Sequence, residues 1–381
     1  MRLGDVCTKI GSGATPKGGK EAYKPSGIPL IRSQNVLDWS FTSNGLAFLD
    51  EGQAAALANV EVEPRDILLN ITGDSVARAC MVPDWCTPAR VNQHVSIVRP
   101  GPDLDPTFLL CYLQSSKPLL LKLASSGATR NALTKGMIGD LEIELPNIET
   151  QRAIASLIGQ IQQKIVLNQQ TNDYLAEMGT ALFNNVAPQS NAPNAALSDI
   201  AEITMGQSPS GSSYNEEGSG EVFYQGRAEF GSFFPRRRLF TTEPKRMAQE
   251  GDTLMSVRAP VGDLNIANEK CCIGRGLAAI HSDTFQSFTH YLLRGQSRQL
   301  DAFNGDGTVF GSINGKALRA LPIYLPTEKE INEIETELKS LDAMIRNNDD
   351  EIRLLEQLRD TLLPKLMAGE IDVSEINFLQ S

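Results

Sequence analysis

The sequence predicts an α+β protein with two homologous domains, each followed by one long amphipathic helix. The first reason is an internal repeat, because the chain from residue 3 to about 185 recurs from residue 197 to about 369. The second reason is a change of hydrophobic period within each copy, from short β-branched or aromatic runs between turn residues to apolar residues three and four apart. A repeat of more than about 150 residues is far longer than a solenoid unit, so it indicates two whole domains of mixed sheet and short helices.

Matched segments keep the same order in the two copies. Each copy has a Gly-x-Thr/Ser-Pro step, a strand-like run that ends in polar residues, a stretch typical of a helix, and a last strand that ends in proline. The matched segments are residues 13–16 with 206–209, 27–34 with 220–227, 66–68 with 252–254, 107–123 with 285–303, and 141–146 with 321–326. Each copy therefore predicts one complete α+β domain.

The strongest periodic signal is the helix that follows each terminal proline, Pro146 and Pro326. Its apolar residues recur at threes and fours, which is typical of an amphipathic helix and in places of a coiled coil. A helix of roughly 37 residues spans about 55 Å. Two such helices, packed antiparallel, are expected to join the domains about an approximate two-fold axis. The residues assigned to helix pairing are Ile158, Ile161, Ile165, Asn168 and Leu175 in the first helix and Leu338, Leu341, Ile345, Asn348 and Leu355 in the second, with Met178 and Leu358 on the same spacing.

Two asparagines, Asn168 and Asn348, interrupt the apolar pattern at the same step of the two helices. A buried Asn in a helix seam lowers stability but fixes the register and the choice of partner. The alternative is that both side chains face water.

Proline, glycine and capping residues set the expected boundaries. Residues 187–194 contain two prolines and indicate an interdomain linker. A capping box from Thr327 to Glu330 begins the second helix. Pro364 is expected to stop or kink that helix, and Gly369 suits its C-terminal cap. The predicted segments are a first domain (1–146), a first spacer helix (147–186), a linker (187–196), a second domain (197–326), a second spacer helix (327–369) and a C-terminal tail (370–381).

Length and composition allow two domains with cores of their own in a cytoplasmic protein. The 381 residues are 41% hydrophobic, which suits two domains of roughly 150 residues. The sequence has no apolar run approaching the roughly 20 residues that cross a bilayer, and residues 1–5 do not resemble a signal peptide, so no membrane partner is expected. The six cysteines have no CxxC spacing and are expected to be reduced and mostly buried.

The charge is unevenly distributed. A net charge of −11 would not by itself suit nucleic acid, because phosphate binding needs local Lys and Arg. Residues 9–32 carry five basic residues and one acidic residue, residues 227–246 carry six basic and two acidic, and residues 328–351 carry three basic and nine acidic. Basic domains with acidic helices suit a DNA-reading protein whose helices dock on other proteins. The plain alternative is that these charges only solvate the surface.

Polar side chains at matched strand-like positions are the candidate DNA contacts. Arg, Gln and Asn pair with guanine or adenine edges, while Lys and hydroxyl side chains suit phosphates. Each position alone is more typical of a turn former, and the match between the copies makes DNA binding an equal alternative. The second copy has no obvious equivalent of Asn35. The candidates are Thr15, Lys17, Lys20, Arg32, Gln34, Asn35, Arg130, Asn131 and Lys135 in the first copy, and Ser208, Gln225, Arg227, Arg236, Arg237, Arg238, Arg258 and Asn314 in the second.

Catalytic and cofactor motifs are scarce. Residues 13–20 (GATPKGGK) miss the phosphate-loop pattern, because Glu21 stands where Ser or Thr is required. Residues 274–279 (GRGLAA) outline a dinucleotide loop, but no helix is expected after them. The three histidines, His94, His281 and His290, lack metal-ligand or nucleophile spacing, so structural roles are favoured and no metal or catalytic site is expected.

With these features, the sequence resembles the specificity (S) subunit of type I restriction-modification systems over nearly its full length. The resemblance is carried by Leu-Gly-Asp-Val at residues 3–6, Leu-Ser-Asp-Ile at 197–200, the Gly-x-Thr/Ser-Pro steps, the proline-terminated last strands, and Arg-Asp-Thr-Leu-Leu-Pro-Lys-Leu-Met-Ala-Gly at 359–369. It implies two target recognition domains that each read one half of a bipartite asymmetric site in double-stranded DNA, with the repeated helices setting the spacer.

The resemblance also implies the partners. The helices and adjoining surfaces would bind two methyltransferase subunits, and the assembled enzyme would recruit restriction subunits where its host has them. Adenine-N6 methylation with S-adenosylmethionine, and ATP- and Mg²⁺-dependent translocation and cleavage, would lie on the partner chains. This chain is thus expected to hold no cofactor and to be non-catalytic. Because the recognition domains are the variable part of the family, no base-contacting residue carries over.

Two other functions stay open on the sequence alone. A standalone enzyme would need a catalytic cluster, which the motifs do not show. A coiled-coil adaptor would share the long helices but would not bind a specific DNA sequence.

Overall fold

The structure is a computed structural model that describes residues 1–125, 131–188, 191–305 and 311–373. The chain divides into two compact units. Unit 1 comprises Met1–Val166 with Arg353–Ser381, and unit 2 comprises Leu167–Ile352. Each unit therefore contains one copy of the globular repeat and a part of each long helix.

The described part of the globular repeat in unit 1 contains one antiparallel sheet and one mixed sheet. One sheet has the strand order β1-β8-β5-β6 and the other has the order β3-β2-β7-β4, in which β2 and β7 are parallel. The strands are β1 (Cys7–Ser12), β2 (Ile28–Ile31), β3 (Ala47–Leu49), β4 (Glu61–Val62), β5 (Ile67–Asn70), β6 (Ala79–Met81), β7 (Ala89–Val91) and β8 (Val95–Pro100), and the helices are α1 (Leu3–Val6), α2 (Glu51–Ala56), α3 (Pro106–Ser115), α4 (Lys117–Ser125) and α5 (Lys135–Gly139).

The same connectivity recurs in unit 2. Its sheets have the orders β10-β18-β15-β16 and β11-β13-β12-β17-β14, with β12 and β17 parallel, so each strand of unit 1 has a counterpart and β11 is added. This confirms the two predicted homologous α+β domains. The strands are β9 (Ala195–Ala196), β10 (Glu202–Met205), β11 (Tyr214–Asn215), β12 (Glu221–Tyr224), β13 (Leu239–Thr241), β14 (Met247–Ala248), β15 (Thr253–Ser256), β16 (Leu264–Ile266), β17 (Cys271–Ile273), β18 (Leu277–His281) and β19 (Pro322–Ile323), and the helices are α7 (Gln286–Gly295), α8 (Ser297–Asp301) and α9 (Gly315–Arg319).

Strand β5 shows how the core of unit 1 is built. Ile67 and Leu69 lie in one apolar cluster with the helices, and Leu68 lies in another cluster with the second sheet. Both faces of β5 are therefore covered, which is why its sequence is continuously apolar rather than alternating. Burying each such side chain contributes about 1.5–3 kcal/mol.

The predicted helical stretches, residues 107–123 and 285–303, each form two helices rather than one. In unit 1 the break at Ser116 precedes Pro118, which cannot donate a backbone hydrogen bond and disfavours helical geometry before it. In unit 2 the break follows Gly295, the last residue of α7. The single-helix prediction was wrong in both copies.

The two long helices are α6 (Ile148–Val186) and α10 (Glu328–Met367), of 39 and 40 residues. Within unit 2 they run antiparallel, because Asn168 Nδ2 donates to Glu351 Oε2 at 2.7 Å while Asn172 Nδ2 donates to Ile345 O at 3.1 Å. Asn348 Nδ2 in turn donates to Asn172 Oδ1 at 2.8 Å. A polar step therefore links the helices inside this unit.

Most residues assigned to helix pairing are buried, including Asn168, while Leu341, Asn348 and Leu355 are half-buried. Two others on the same spacing are not, since Met178 is 54% and Leu358 is 46% exposed. A straight helix drifts by about 20° per heptad from a strict seven-residue repeat, so residues on that repeat leave the buried face.

The ends of the long helices follow local signals. Thr327 and Glu330 form the predicted capping box, with Thr327 N donating to Glu330 Oε2 at 2.9 Å and Glu330 N to Thr327 Oγ1 at 3.4 Å. Pro364 does not stop α10, because Ala368 N still donates to Pro364 O at 3.0 Å. Gly369 has φ +66°, and Gly369 N and Glu370 N donate to carbonyls of the last turn. This is the predicted glycine cap.

Parts of the predicted linker and tail belong to compact structure. Ala195 and Ala196 form β9, which pairs with β19 of unit 2, so the end of the linker is a strand. Ile371 and Val373 pack against the apolar core of unit 1. Gln189 and Ser190 lie outside the described residues, as do residues 374–381.

The six cysteines are free, and all except the half-buried Cys7 are buried, as expected for reduced packing residues. Burial raises the pKa of the Cys86 thiol to about 11, so this group stays protonated near neutral pH. None of the helices in the described ranges is long and apolar enough to cross a membrane.

A buried aspartate has a different partner in each copy. In unit 1, Arg99 Nε and Nη2 donate to the two oxygens of Asp66 at 2.7 and 2.9 Å. In unit 2 the matching Asp252 lies 2.6 Å from His281 Nδ1, and His281 Nε2 lies 3.0 Å from Asp283. Burial acts to lower the pKa of His281, but the hydrogen bonds and charges of both aspartates outweigh it and raise that pKa.

We expect this difference to make unit 2 pH-sensitive. The stability that protonated His281 contributes is present below its ordinary pKa of 6.5 and is lost as pH rises through the raised folded-state value. Thermal unfolding of wild type and His281→Gln at a series of pH values above 6.5 tests this, because the variant should lose that part of the dependence. An unchanged slope in the variant would assign the titration to another group.

Asn172 is expected to stabilise the helix pairing in unit 2. Replacement by Ala leaves Ile345 O and Asn348 without their partner, so Asn172→Ala should lower the free energy of unfolding by about 1–3 kcal/mol. The matched control is Gln170→Ala, an exposed position on the same helix, which should change it by less than about 0.5 kcal/mol. Chemical denaturation followed by circular dichroism measures both, and equal effects would contradict a structural role for the buried amide.

Candidate nucleic-acid interface

Several loops of unit 1 converge on the turn between β7 and β8, residues 92–94. The turn begins beside the end of β2, because Asn92 N donates to Ile31 O at 3.0 Å. The loop after β1 joins it, since Gly13 N donates to Val95 O at 3.0 Å. The loop after β5 reaches the same turn, with Ile71 N donating to His94 O at 3.0 Å. Backbone bonds at the ends of three strands therefore gather polar loops at one edge.

Side chains form a connected polar row along this edge of unit 1. Thr15 Oγ1 donates to Gln93 Oε1, and Gln93 Nε2 lies 3.1 Å from His94 Nε2. His94 Nδ1 lies 2.6 Å from Thr72 Oγ1. Gly73 N donates to Asn131 O at 3.3 Å, which brings the exposed Asn131 to the same edge. Amide, imidazole and hydroxyl groups of this kind can donate to and accept from base edges.

Unit 2 builds the corresponding edge around residues 274–276. Gly274 N donates to Tyr224 O at 2.8 Å at the end of β12, and Gly206 N donates to Leu277 O at 2.9 Å. Ser208 Oγ, the counterpart of the Thr15 hydroxyl, accepts from Arg275 N at 3.3 Å. This edge thus has the same backbone arrangement as the edge in unit 1.

The glycines at residues 274–276 have a packing role. A Cβ at Gly274 would lie 2.7 Å from Gln225 O, and a Cβ at Gly206 would lie 2.2 Å from Gly274 O. These approaches exclude larger residues, so the Gly-Arg-Gly run lets three strand ends meet. It is followed by strand β18 rather than a helix, which agrees with the rejection of a dinucleotide loop.

Arg32 and Gln34 hold a neighbouring turn. The Arg32 guanidinium donates to Gly45 O and lies 5.4 Å from the centroid of the Tyr23 ring. Gln34 Nε2 donates to Asn44 O at 3.4 Å and to Gly45 O at 3.3 Å. These bonds orient both side chains, and Gln34 remains exposed.

Asn35 is a correction to the predicted interface. Its side chain is fully buried, with Oδ1 accepting from Arg32 N at 3.0 Å and Nδ2 donating to Thr42 O at 3.0 Å and Asn44 O at 3.1 Å. No part of the amide can reach a base. Glu229 takes the same place in unit 2, where it is buried and accepts from Gly226 N at 3.1 Å. Unit 2 thus has a structural equivalent of Asn35 that is not obvious from the sequence.

Three predicted arginines of unit 2 are paired with carboxylates. The pairs are Arg227 with Asp263 at 2.5 Å, Arg237 with Glu269 at 2.5 Å, and Arg238 with Glu229 at 2.6 Å. The hydrogen bond to Glu269 raises the pKa of Arg237 above its ordinary value. About half of each guanidinium side chain stays exposed, so the arginines can still meet an anion from the solvent side.

The other predicted residues divide into exposed and structural positions. Asn314 caps α9, since its Oδ1 accepts from Ala317 N at 2.9 Å, just as Thr134 caps α5. The cap explains Asn314 without a DNA contact. Arg130 and the side chain of Lys20 lie outside the described residues. The remaining exposed candidates are Lys17, Lys135, Gln225, Arg236 and Arg258.

The sequence-based prediction missed three residues at these edges, Gln93, His94 and Arg275. The sequence favours a structural role for His94, and Arg275 lies within residues 274–279, which do not fit a dinucleotide loop. Their signal was positional, because Gln93 and Arg275 follow the paired strands β7 and β17 by the same number of residues. The equivalence of Gln93 and Arg275 can be recognised only when the parallel pairing of β2 with β7 and of β12 with β17 is known.

Two observations among the described residues bear on a metal or acid–base centre. Within those ranges there is no group of three or more His, Cys, Asp and Glu side chains placed to hold a metal ion. Burial lowers the pKa of His290 to about 3, so this histidine is neutral inside the core of unit 2. Its contact is with Thr253 Oγ1 at 3.2 Å, which is consistent with a structural role.

Known proteins resemble the chain over almost its whole length. The profile of the Type I restriction modification DNA specificity domain family matches residues 1–177 and again 192–357. Two relatives come from Methanocaldococcus jannaschii. The protein named "Putative type I restriction enzyme MjaX specificity subunit" is 29% identical, covering 97% of this chain and 93% of its own. The MjaIX specificity subunit is 21% identical, covering 97% and 92%.

A solved structure shares the fold. It is the crystal structure of the S subunit of a type I restriction-modification system from M. genitalium, which matches with a TM-score of 0.56 and 17% identity over 96% of this chain and 95% of that one. The family profile covers both copies of the repeat, and each copy carries the same strand orders. The chain therefore belongs to the family of type I restriction-modification DNA specificity subunits.

Proposed function

We propose that each unit reads one half of a bipartite, asymmetric site in double-stranded DNA through its strand-end edge. The observation that carries this proposal is that both edges have one backbone arrangement and different side chains. Gln93 in unit 1 corresponds to Arg275 in unit 2, and Thr72 corresponds to Arg258, since these residues take equivalent places in the paired strands and bridges. A shared scaffold with different donors and acceptors suits two different half-sites.

The side chains suit direct readout in the major groove. An arginine such as Arg275 can pair bidentately with guanine, and a glutamine such as Gln93 can pair with adenine. The exposed basic residues Lys17, Arg236 and Arg237 would lie on phosphates and set the position of the chain on the duplex. Because Arg237 already holds Glu269, DNA would replace one anionic partner by another, and binding should weaken as salt concentration rises.

The long helices are the proposed spacers and docking surfaces. The segments proposed are recognition domains at 1–146 and 197–326, spacer helices at 147–186 and 327–369, a linker at 187–196 and a tail at 370–381, arranged about an approximate two-fold axis. Two methyltransferase subunits would dock on the helices and adjoining surfaces, and restriction subunits would join where the host has them. Adenine-N6 methylation with S-adenosylmethionine, and any ATP- and Mg²⁺-dependent cleavage, would belong to those cytoplasmic partners.

The direct test is long-read methylation sequencing of the host genome with and without this gene. The proposal expects one bipartite adenine motif to lose methylation on deletion and to regain it on complementation. An unchanged methylome in a host that expresses the methyltransferase subunit would contradict the proposal and favour a coiled-coil adaptor.

Arg275 is expected to discriminate bases in one half-site. Arg275→Ala should remove about 1–3 kcal/mol of discrimination at one position of the half-site read by unit 2, with the other half-site unchanged. Methylation of duplexes with single base changes, by the complex reconstituted with its methyltransferase subunits, measures this. The matched control is Arg298→Ala, an exposed arginine on α8 that lines a pocket with Pro188 and Tyr324. An equal loss on every duplex would assign Arg275 to phosphate binding.

Leu341 and Ile345 are expected to support assembly through the helix pairing. Both lie with Leu175 and Ala176 in one apolar cluster of unit 2. Placing two carboxylates there would bury charge without partners, so Leu341→Asp/Ile345→Asp should disrupt the pairing and prevent the methyltransferase subunits from assembling. Light scattering after size-exclusion chromatography measures assembly, and exposed Ala343→Asp is the control. A double variant that assembles like wild type would refute this role.

A further inference from the structure

Two short loops with the same backbone geometry follow the 3-10 turns after β2 and β12. We call residues 35–42 of unit 1 and residues 229–236 of unit 2 the anchor loops. Each is closed by one hydrogen bond between its first and last residue and by a second bond two residues further in. The bonds are Thr42 N to Asn35 O (3.0 Å) and Leu37 N to Ser40 O (3.0 Å) in unit 1, and Arg236 N to Glu229 O (2.8 Å) and Gly231 N to Phe234 O (3.1 Å) in unit 2.

The tip of the anchor loop in unit 1 is fixed to both long helices. Arg359 of α10 places its guanidinium 5.1 Å from the centroid of the Trp39 ring. Arg359 is only 8% exposed, and its Nη1 donates to Gln162 Oε1 of α6 at 2.8 Å. A cation over an indole face is attracted by the ring quadrupole, and more strongly where water is excluded. The loop, α10 and α6 are thus connected through one buried guanidinium.

The tip of the anchor loop in unit 2 also packs on both long helices, by apolar contact. Phe234 is buried in a cluster with Leu175 and Ala176 of α6 and Ile345 of α10, and Phe233 packs against the same cluster. Phe233 is the counterpart of Trp39 by the matched hydrogen bonds. The contact between the anchor loop and the long helices is therefore a cation–π contact in unit 1 and an apolar contact in unit 2.

The backbone at Trp39 supports a specific role for this contact. Trp39 has φ +64°, a left-handed conformation that is unfavourable for a bulky residue. Its N–H donates to Ala79 O at 2.9 Å on β6, and its ring packs against the core of unit 1. Surrounding contacts of this kind are what maintain an unfavourable conformation.

The anchor loops adjoin the residues proposed to meet DNA. Gln34 directly precedes the loop in unit 1, and its amide holds Asn44 and Gly45 just after it. In unit 2 the loop ends at Arg236 and continues into Arg237, which is paired with Glu269. A displacement of either anchor loop would therefore move polar or basic side chains that are proposed to meet DNA in the same unit.

We propose that Trp39 and Phe234 are positioning residues that fix each DNA-reading edge to the long helices and thereby narrow the range of spacer lengths the protein accepts. This rests on the proposed reading of a bipartite site. The rate of a reaction depends by orders of magnitude on the orientation of the reacting groups. An edge held firmly to the helices would present DNA for methylation at one spacer length, whereas a loosened edge would accept neighbouring lengths, so we expect the anchor to act on selectivity.

The experiment compares wild type, Trp39→Ala and Trp39→Phe in the complete complex with the methyltransferase subunits. Methylation rates are measured on the cognate duplex and on duplexes whose spacer is one base pair longer or shorter. Trp39→Ala should lower the preference for the cognate spacer by about tenfold. Trp39→Phe, which installs the residue found at this position in unit 2, should retain most of it. Leu119→Ala, an exposed apolar position of unit 1, is the matched control and should leave it unchanged.

An unchanged spacer preference in Trp39→Ala, or an equal loss on all duplexes, would overturn the positioning role. If Trp39→Ala does not yield folded complex, Arg359→Gln and Phe234→Leu decide the same question. Arg359→Gln weakens the anchor of unit 1 without changing its loop sequence, and Phe234→Leu weakens the anchor of unit 2 by one apolar substitution. The proposed function fails separately. A wild-type complex without any spacer preference would contradict the bipartite reading. A wild-type preference that Trp39→Ala, Arg359→Gln and Phe234→Leu all keep would contradict the anchors alone.

Discussion

Parallel pairing of β2 with β7, and of β12 with β17, is the constraint on which both candidate interfaces depend. Parallel neighbours need a long connection, so the pairing brings distant residues such as Ile31 and Asn92 to within 3.0 Å, N to O. The loops after the remaining strands then meet at the same turn through backbone groups. Backbone groups make most of the hydrogen bonds that bring these loops together. The side chains are therefore free to differ between the two copies, and Gln93 takes the place that Arg275 has in unit 2.

The architecture was predictable from the sequence because its signals are local and repeated. Terminal prolines, the capping box at Thr327 and the three-four spacing of α6 and α10 lie within short windows. The role of Asn35 was not predictable, since its amide bonds depend on how residues 42–44 fold back. Gln93 and Arg275 were missed for a related reason, because a loop residue gains its place only from strands that pair far along the chain.

Polar groups have different roles in the helix pairing of unit 2 and at the candidate DNA interface. In the seam of unit 2, Asn172 uses both ends of its amide on fixed partners, so it specifies one alignment of the helices. At the edge, Arg227 pairs with Asp263 and Arg238 pairs with Glu229, which orients each guanidinium before any ligand arrives. Ordering a long side chain in advance lowers the entropy lost on binding. A net negative charge is therefore compatible with guanidinium groups that are oriented in advance at the edges.

The division of the chain has a consequence for its biosynthesis. Unit 2 is continuous from Leu167 to Ile352, whereas unit 1 needs residues from 353 onward. Leu363, Leu366 and Val373 fill the core of unit 1 beside Phe108 and Ile154. During translation, the globular part of unit 1 is made first, but its apolar core stays incomplete until these residues are made. The whole sequence of unit 2 has been made before that point. We therefore expect unit 2 to be able to fold before unit 1 during synthesis. The incomplete unit 1 is the part of the nascent chain that we expect chaperones to bind.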